Sequence, residues 1–126
     1  MRNKEYVQNT YKEAALLFEL NHKYIIRYRD YYMDEKRIYI LLEKMDLSLK
    51  DLLNKLKVST STQKFSLPDR LKIFRKVVKA VQFCHSSGVI HGDIKPQNIL
   101  VNVSPQTGQI SALKLADFGL AQRNQK

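Results

Sequence analysis

A chain of 126 residues is long enough for one hydrophobic core and too short for several domains. Hydrophobic residues at 44% and charged residues at 27% exclude wholesale disorder. The 22 Lys and Arg outnumber the 12 Asp and Glu to give a net charge of +10, but they are scattered from Arg2 to Lys126 without clustering, so we read a solvated basic surface and expect no nucleic-acid partner.

In chain order, Tyr6 to Leu20 has no Gly or Pro and repeats Ala14, Leu16, Leu17 and Leu20 at helical spacing, which predicts a helix. Two β-rich runs follow, Ile25 to Tyr32 and Arg37 to Leu42, joined by the polar connection Met33-Asp34-Glu35-Lys36. No unbroken apolar run, Ile38 to Leu42 included, exceeds five residues, far short of a membrane span, so no membrane partner is expected in this segment. No apolar stretch backs Met1-Arg2-Asn3-Lys4-Glu5, and with no signal segment visible a cytosolic or nuclear setting is expected. Ser48-Leu49-Lys50-Asp51 has capping-box spacing and opens a short helix through Leu56. The Ser/Thr-rich stretch at 59–64 reads as a surface loop.

Pro68 begins a second long helix, on which Leu71, Phe74, Val77, Val78, Val81 and Cys84 form an apolar stripe predicted to be buried. Lys72, Lys76 and Lys79 fall on the opposite, solvated face, and Ser87-Gly88 stops the helix. Cys84 is the sole cysteine, which excludes an internal disulfide and a zinc framework of cysteine pairs, and its place on the stripe makes it core filler. Ile99-Leu100-Val101 and Leu113-Lys114-Leu115-Ala116 read as two short strands around the turn-rich segment Ser104-Pro105-Gln106-Thr107-Gly108-Gln109.

The decisive motifs lie between and after these elements: His91-Gly92-Asp93-Ile94-Lys95-Pro96-Gln97-Asn98, then Asp117-Phe118-Gly119. Eight specified positions matched by chance about once in twenty each give a random expectation on the order of 10⁻¹⁰. The pattern resembles the catalytic and metal-binding loops of the eukaryotic protein kinases of serine/threonine type. The resemblance runs from Glu13 to Gly119 and implies an α+β, protein kinase-like fold, present in part: the family's helix C, its fourth and fifth strands, the hinge, helices D and E, the catalytic loop and the hairpin of strands seven and eight. It divides residues 1–126 into an N-lobe part at 1–42, a hinge at 43–47 and a C-lobe part at 48–126.

The same resemblance implies the chemistry, transfer of the γ-phosphoryl group of ATP to a Ser or Thr hydroxyl of a protein substrate, with ATP and Mg²⁺ as cofactors. Asp93 would orient or accept the hydroxyl proton, Lys95 would reach the γ-phosphate, and Asn98 and Asp117 would hold Mg²⁺. Glu13 would pair with the lysine that positions ATP, Leu42 would be the gatekeeper, and Glu43, Met45 and Leu100 would line the adenine site. His91 is expected to pack under Phe118 and bond the backbone near Asp117, completing a hydrophobic column with Leu17 and Tyr28.

The chain departs from the family in two respects, and one of them opens a rival reading. Gly92 stands where most members have an arginine that pairs with an activation-loop phosphate, removing the electrostatic basis of that switch. His-Gly-Asp with Asn five residues on is also the form of small-molecule phosphotransferases of the aminoglycoside and choline kinase type, against which Lys95-Pro96 and Asp117-Phe118-Gly119 weigh. The glycine-rich loop and its lysine, and the activation segment, have no counterpart in these residues. The chain is thus expected to be an internal segment, inactive alone, and a non-catalytic regulatory or decoy product is the remaining alternative.

Overall fold

The computed structural model describes residues 4–58 and 65–123, with the side chains of residues 4–7 and 58 left aside. The first helix, α1 (Lys4–Glu19), turns Ala14, Leu16 and Leu17 inward. It is followed by an antiparallel hairpin of β1 (Tyr28–Met33) and β2 (Ile38–Leu42). The tight connection is an Asp turn: Asp34 Oδ1 accepts from the backbone N–H of Lys36 at 2.7 Å and of Arg37 at 2.6 Å. Among the described residues β1 pairs only with β2, and Tyr31, Tyr32, Tyr39 and Leu41 are exposed.

A second, three-stranded sheet has the order β3 (Leu47–Ser48), β5 (Ile99–Val103), β6 (Ile110–Leu115), all antiparallel. The segment after α1 lies along it: Ile26 N–H donates to Leu115 O at 2.9 Å and Leu115 N–H to Tyr24 O at 2.7 Å. Ile25, Ile26, Val101, Leu113 and Leu115 are all at most 1% exposed. Burying side chains of this size stabilises by about 1.5–3 kcal/mol each, so this sheet face is the core. Because β6 runs directly into Ala116 and Asp117, the core also sets the height of that carboxylate.

Two helices cover the sheet. Ser48 caps α2 (Leu49–Val58), its Oγ accepting from Asp51 N–H at 3.1 Å, as the spacing predicts. Ser66 caps α3 (Leu67–Ser86) in the same way through Asp69 N–H at 3.3 Å, a cap we did not read from the sequence. Gly88, at φ 74°, ends α3 in the left-handed conformation that favours glycine. The chain then enters β4 (Val89–Ile90), which pairs with β7 (Gln122–Arg123) to make a third sheet.

The buried stripe expected on α3 requires correction. Leu71, Phe74 and Val78 are 58%, 66% and 44% exposed, whereas Ala80 and Cys84 are fully buried and Ile73, Val77 and Val81 pack on the core. Lys76 is also only half exposed, with its ammonium 5.8 Å from the Tyr24 ring centroid. The helix carries apolar side chains on two faces, so periodicity identified a helix without choosing the face that meets the sheet. The strands expected over Ile25–Tyr32 and Arg37–Leu42 begin later, at Tyr28 and Ile38, because Ile25 bridges to Leu115 instead of joining β1. The loop at 59–64 lies outside the described residues.

Candidate active site

Three segments converge at one end of the core: the loop from His91 through the 3₁₀ turn Pro96–Asn98, the end of β6, and the middle of α1. His91 joins the first two. It is 1% exposed, its Nδ1 accepts from Asp93 N–H at 3.0 Å, and its Nε2 is 2.9 Å from Ala116 O. With Nδ1 acting as acceptor, Nε2 carries the proton and donates, which fixes the tautomer. Its ring meets Phe118 edge-on at 4.7 Å, and Phe118 is 1% exposed, as the sequence led us to expect. Tyr28, also expected in this column, packs against the core cluster that includes Leu17 and Phe118 and places its ring edge-on to Phe18 at 6.1 Å.

Asp93 is held on both carboxylate oxygens. Lys95 Nζ lies 3.3 Å from Oδ1, and Asn98 Nδ2 donates to Oδ2 at 3.0 Å and to Asp93 O at 2.8 Å. Since the amide nitrogen of Asn98 is committed to Asp93, its oxygen remains as the atom available to a cation. Asn98 is 6% exposed, and its own carbonyl receives Ala116 N–H at 2.8 Å, tying the loop to the residue before Asp117.

Asp117 is the one non-glycine among the described residues with positive φ, at 56°. Such a conformation is strained for an L-residue and persists where surrounding structure enforces it. Here Ala116 is bonded to His91 and Asn98, and Asp117 Oδ1 accepts from Gly119 N–H at 3.2 Å. Glu13 reaches the same place from α1. Its pKa is raised by burial first and then by the charge of Asp117, against a lowering from the backbone N–H of Phe118. Among the described residues no lysine or arginine lies within 4 Å of the Glu13 carboxylate.

Gly92, at φ 81°, passes so close to the segment after Gly119 that a Cβ there would lie 3.2 Å from Leu120 O. The position therefore constrains backbone as well as charge. Lacking a side chain, it lets the two loops touch.

The residues expected around adenine lie on other elements. Leu42 ends β2 opposite Tyr28, and Leu100 lies on β5 between Ser48 and Lys114. Glu43 N–H is committed to Arg27 O at 2.9 Å, while Glu43 Oε1 accepts from Arg27 N–H at 2.8 Å and sits 3.6 Å from Lys114 Nζ. Its side chain is thus a clamp between β2 and β6. Met45 packs against the core. Beyond it is a clamp the sequence did not reveal: Asp46 N–H donates to Asn102 Oδ1 at 2.8 Å, and Val103 N–H returns to Asp46 Oδ2 at 3.0 Å. No local pattern signals a pair 56 residues apart.

Could the donor set hold a metal? Among the described residues there is no group of three or more His, Cys, Asp or Glu able to bind an ion without other ligands. That excludes a closed protein cage, yet it suits Mg²⁺, which takes one or two protein oxygens and completes its shell with phosphate and water. Asp117 carries a carboxylate and Asn98 an amide oxygen of that kind.

The sequence model of the protein kinase domain family matches residues 1–126. The chain belongs to that family, and its mixed helices and small sheets are a partial protein kinase-like fold. Kinase-type phosphotransfer, with the ATP and Mg²⁺ that the family generally uses, is the activity this membership supports. No helix among the described residues is long and apolar enough to cross a membrane.

Proposed function

We propose that this chain is the catalytic-loop portion of a protein serine/threonine kinase, with residues 1–42 contributing to one lobe, 43–47 to a hinge and 48–126 to the other. The observation that carries this reading is the Lys95–Asp93 pair at 3.3 Å, which sets a cation beside the carboxylate that would meet the acceptor hydroxyl. An alcohol needs its proton received as the phosphoryl group arrives, and that group needs positive charge near its equatorial oxygens. Asp93 serves the first need and Lys95 the second.

Asn98, fixed by its bonds to Asp93, and Asp117, fixed in its strained conformation, present oxygens for Mg²⁺. The metal with ATP would supply the transferable group and neutralise its charge. Glu13 faces this centre from α1, where a lysine binding the phosphates would relieve its unfavourable charge beside Asp117. Leu42, Met45, Leu100 and the backbone of Glu43 would line the adenine site.

The test is the identity of the acceptor. The protein carrying this chain, incubated with γ-labelled ATP and Mg²⁺, is expected to label Ser and Thr in a mixed peptide library and to leave choline and aminoglycosides unlabelled. Phosphotyrosine, phosphocholine or a phosphorylated antibiotic as the main product would refute the reading.

A further inference from the structure

The turn that follows α1, His22-Lys23-Tyr24, rests on a face of α3 that phosphotransfer does not use. Lys76, Lys79 and Phe83 recur at i, i+3 and i+7 along α3 and so share that face. The His22 ring lies on the Phe83 ring, with centroids 4.7 Å apart and planes 32° from parallel. Beside it the Tyr24 ring takes two ammoniums, Lys23 Nζ at 5.3 Å and Lys76 Nζ at 5.8 Å from its centroid. An aromatic ring attracts a cation, but two cations held at one ring repel each other.

The patch has no counter-charge of its own. Residues 20–29 and 70–86 contain no Asp or Glu, and Lys23, Lys76 and Lys79 make no salt bridge among the described residues. Lys114, whose charge also reaches His22, is already paired with Glu43. His22 adds a neutral donor. Its Nδ1 accepts from Tyr24 N–H at 3.0 Å, so the proton sits on Nε2, and burial, then the charges of Lys114 and Lys79, push its pKa below the ordinary 6.5. Among the described residues that Nε2–H meets no acceptor.

We infer that this cluster is an anion site that takes a phosphate dianion, carried as a monoester on a peptide or free in solution, with His22 Nε2–H, Lys23, Lys76 and Lys79 as its donors. Lysine ammoniums bind phosphate as compact point charges. Three of them beside a neutral N–H favour a group with nearly two negative charges and three acceptor oxygens over a carboxylate, which brings one charge and two oxygens. Bound there, phosphate relieves the repulsion between Lys23 and Lys76 across the Tyr24 ring. The site needs neither Mg²⁺ nor ATP and stands independently of the proposed reaction.

The test is a titration without either. A fluorescein-labelled peptide with one phosphoserine and no other acid is titrated with the 126-residue chain and read by anisotropy. Its affinity is expected to exceed that of the same peptide carrying glutamate by about tenfold or more, and to fall as salt is raised. Lys23→Gln with Lys79→Gln, both at exposed positions, should weaken binding at least tenfold, whereas Lys36→Gln in the β1–β2 turn should leave it unchanged. In the parent chain, binding should shift the NMR ring signals of His22 and leave those of His91, beside the catalytic loop, in place. Inorganic phosphate should displace the peptide: at concentrations far above the peptide Kd the ligand is a phosphorylated side chain, and at matching concentrations it is free phosphate. Equal affinity for the glutamate and phosphoserine peptides, or no saturable binding, would overturn the proposal. So would a shift of His91 in place of His22, or binding indifferent to the Lys23 and Lys79 changes, either of which would put the phosphate elsewhere. The peptide comparison and the histidine signals use the parent chain, so they decide the matter even where a variant fails to fold.

Discussion

Asn98 donates its side-chain N–H to both the carbonyl and the carboxylate of Asp93, at 2.8 and 3.0 Å, so the proposed base and the amide proposed to bind metal form one hydrogen-bonded unit. Lys95 holds the other carboxylate oxygen at 3.3 Å. Spacing in the loop therefore serves geometry: five residues, ending in a 3₁₀ turn, bring Asn98 back under Asp93.

Under the proposed assignment of the metal oxygens to Asp117 and Asn98, their loss should appear first in Mg²⁺ dependence. In the active protein carrying this chain, Asp117→Asn is expected to raise the Mg²⁺ needed for half-maximal activity by tenfold or more. Asn98→Ala should do the same and also lower turnover at saturating Mg²⁺, since it frees Asp93. An unchanged Mg²⁺ titration for Asp117→Asn would remove the metal role.

Gly92 and Gly88 make a matched pair for testing backbone strain. Both have positive φ, 81° and 74°, but a Cβ at Gly92 would press on Leu120 O at 3.2 Å while one at Gly88 meets nothing within 4 Å. Alanine at either site should cost about 1–2 kcal/mol for the left-handed conformation. Gly92→Ala should cost visibly more, read as a lower denaturation midpoint than Gly88→Ala. Equal midpoints would mean that the Leu120 segment yields freely.

Glu13 gives a pH signature. Its native pKa lies above the ordinary 4.5, through burial and the Asp117 charge, so the folded state holds this proton more tightly than the unfolded chain. The resulting stabilisation is complete below pH 4.5 and is lost as pH rises through the native value. Glu13→Gln should therefore stabilise the protein at pH 7 and flatten the decline in stability between pH 4.5 and neutrality. A variant less stable than the parent at pH 7 would show that a favourable partner for the charge outweighs its burial.

Burial pushes the Cys84 thiol up to about 11, and the side chain is fully enclosed by α3 and the core. At pH 8 iodoacetamide should alkylate it at least a hundredfold more slowly in the folded protein than in urea. Comparable rates would place Cys84 on an open surface.

Much of the fold was legible because its signals are local. The Ser48 cap, the α3 stop at Gly88 and the strands around 104–109 each rest on neighbouring residues. That the two loops meet was legible because His91 to Asn98 and Asp117 to Gly119 are fixed-spacing motifs, and they are bonded together through His91, Asn98 and Ala116. What the sequence hid is non-local. The choice between the Leu71–Phe74–Val78 and Ile73–Val77–Ala80 faces of α3 depends on which meets β6, and both are apolar. The Asp46–Asn102 and Glu43–Lys114 clamps join residues more than 50 positions apart. The positive φ of Asp117 arises from bonds made by Ala116 to two other segments.

The central claim is that Asp93 is the carboxylate at which the acceptor hydroxyl gives up its proton. Its most direct test is the turnover of the Asp93→Asn variant on a Ser/Thr peptide at saturating Mg²⁺ and ATP. The substitution keeps size but removes the base and gives up one of the two donor contacts to the carboxylate, so turnover is predicted to fall at least about a hundredfold, with the KM for ATP little changed. Turnover within a few-fold of the parent would contradict the account.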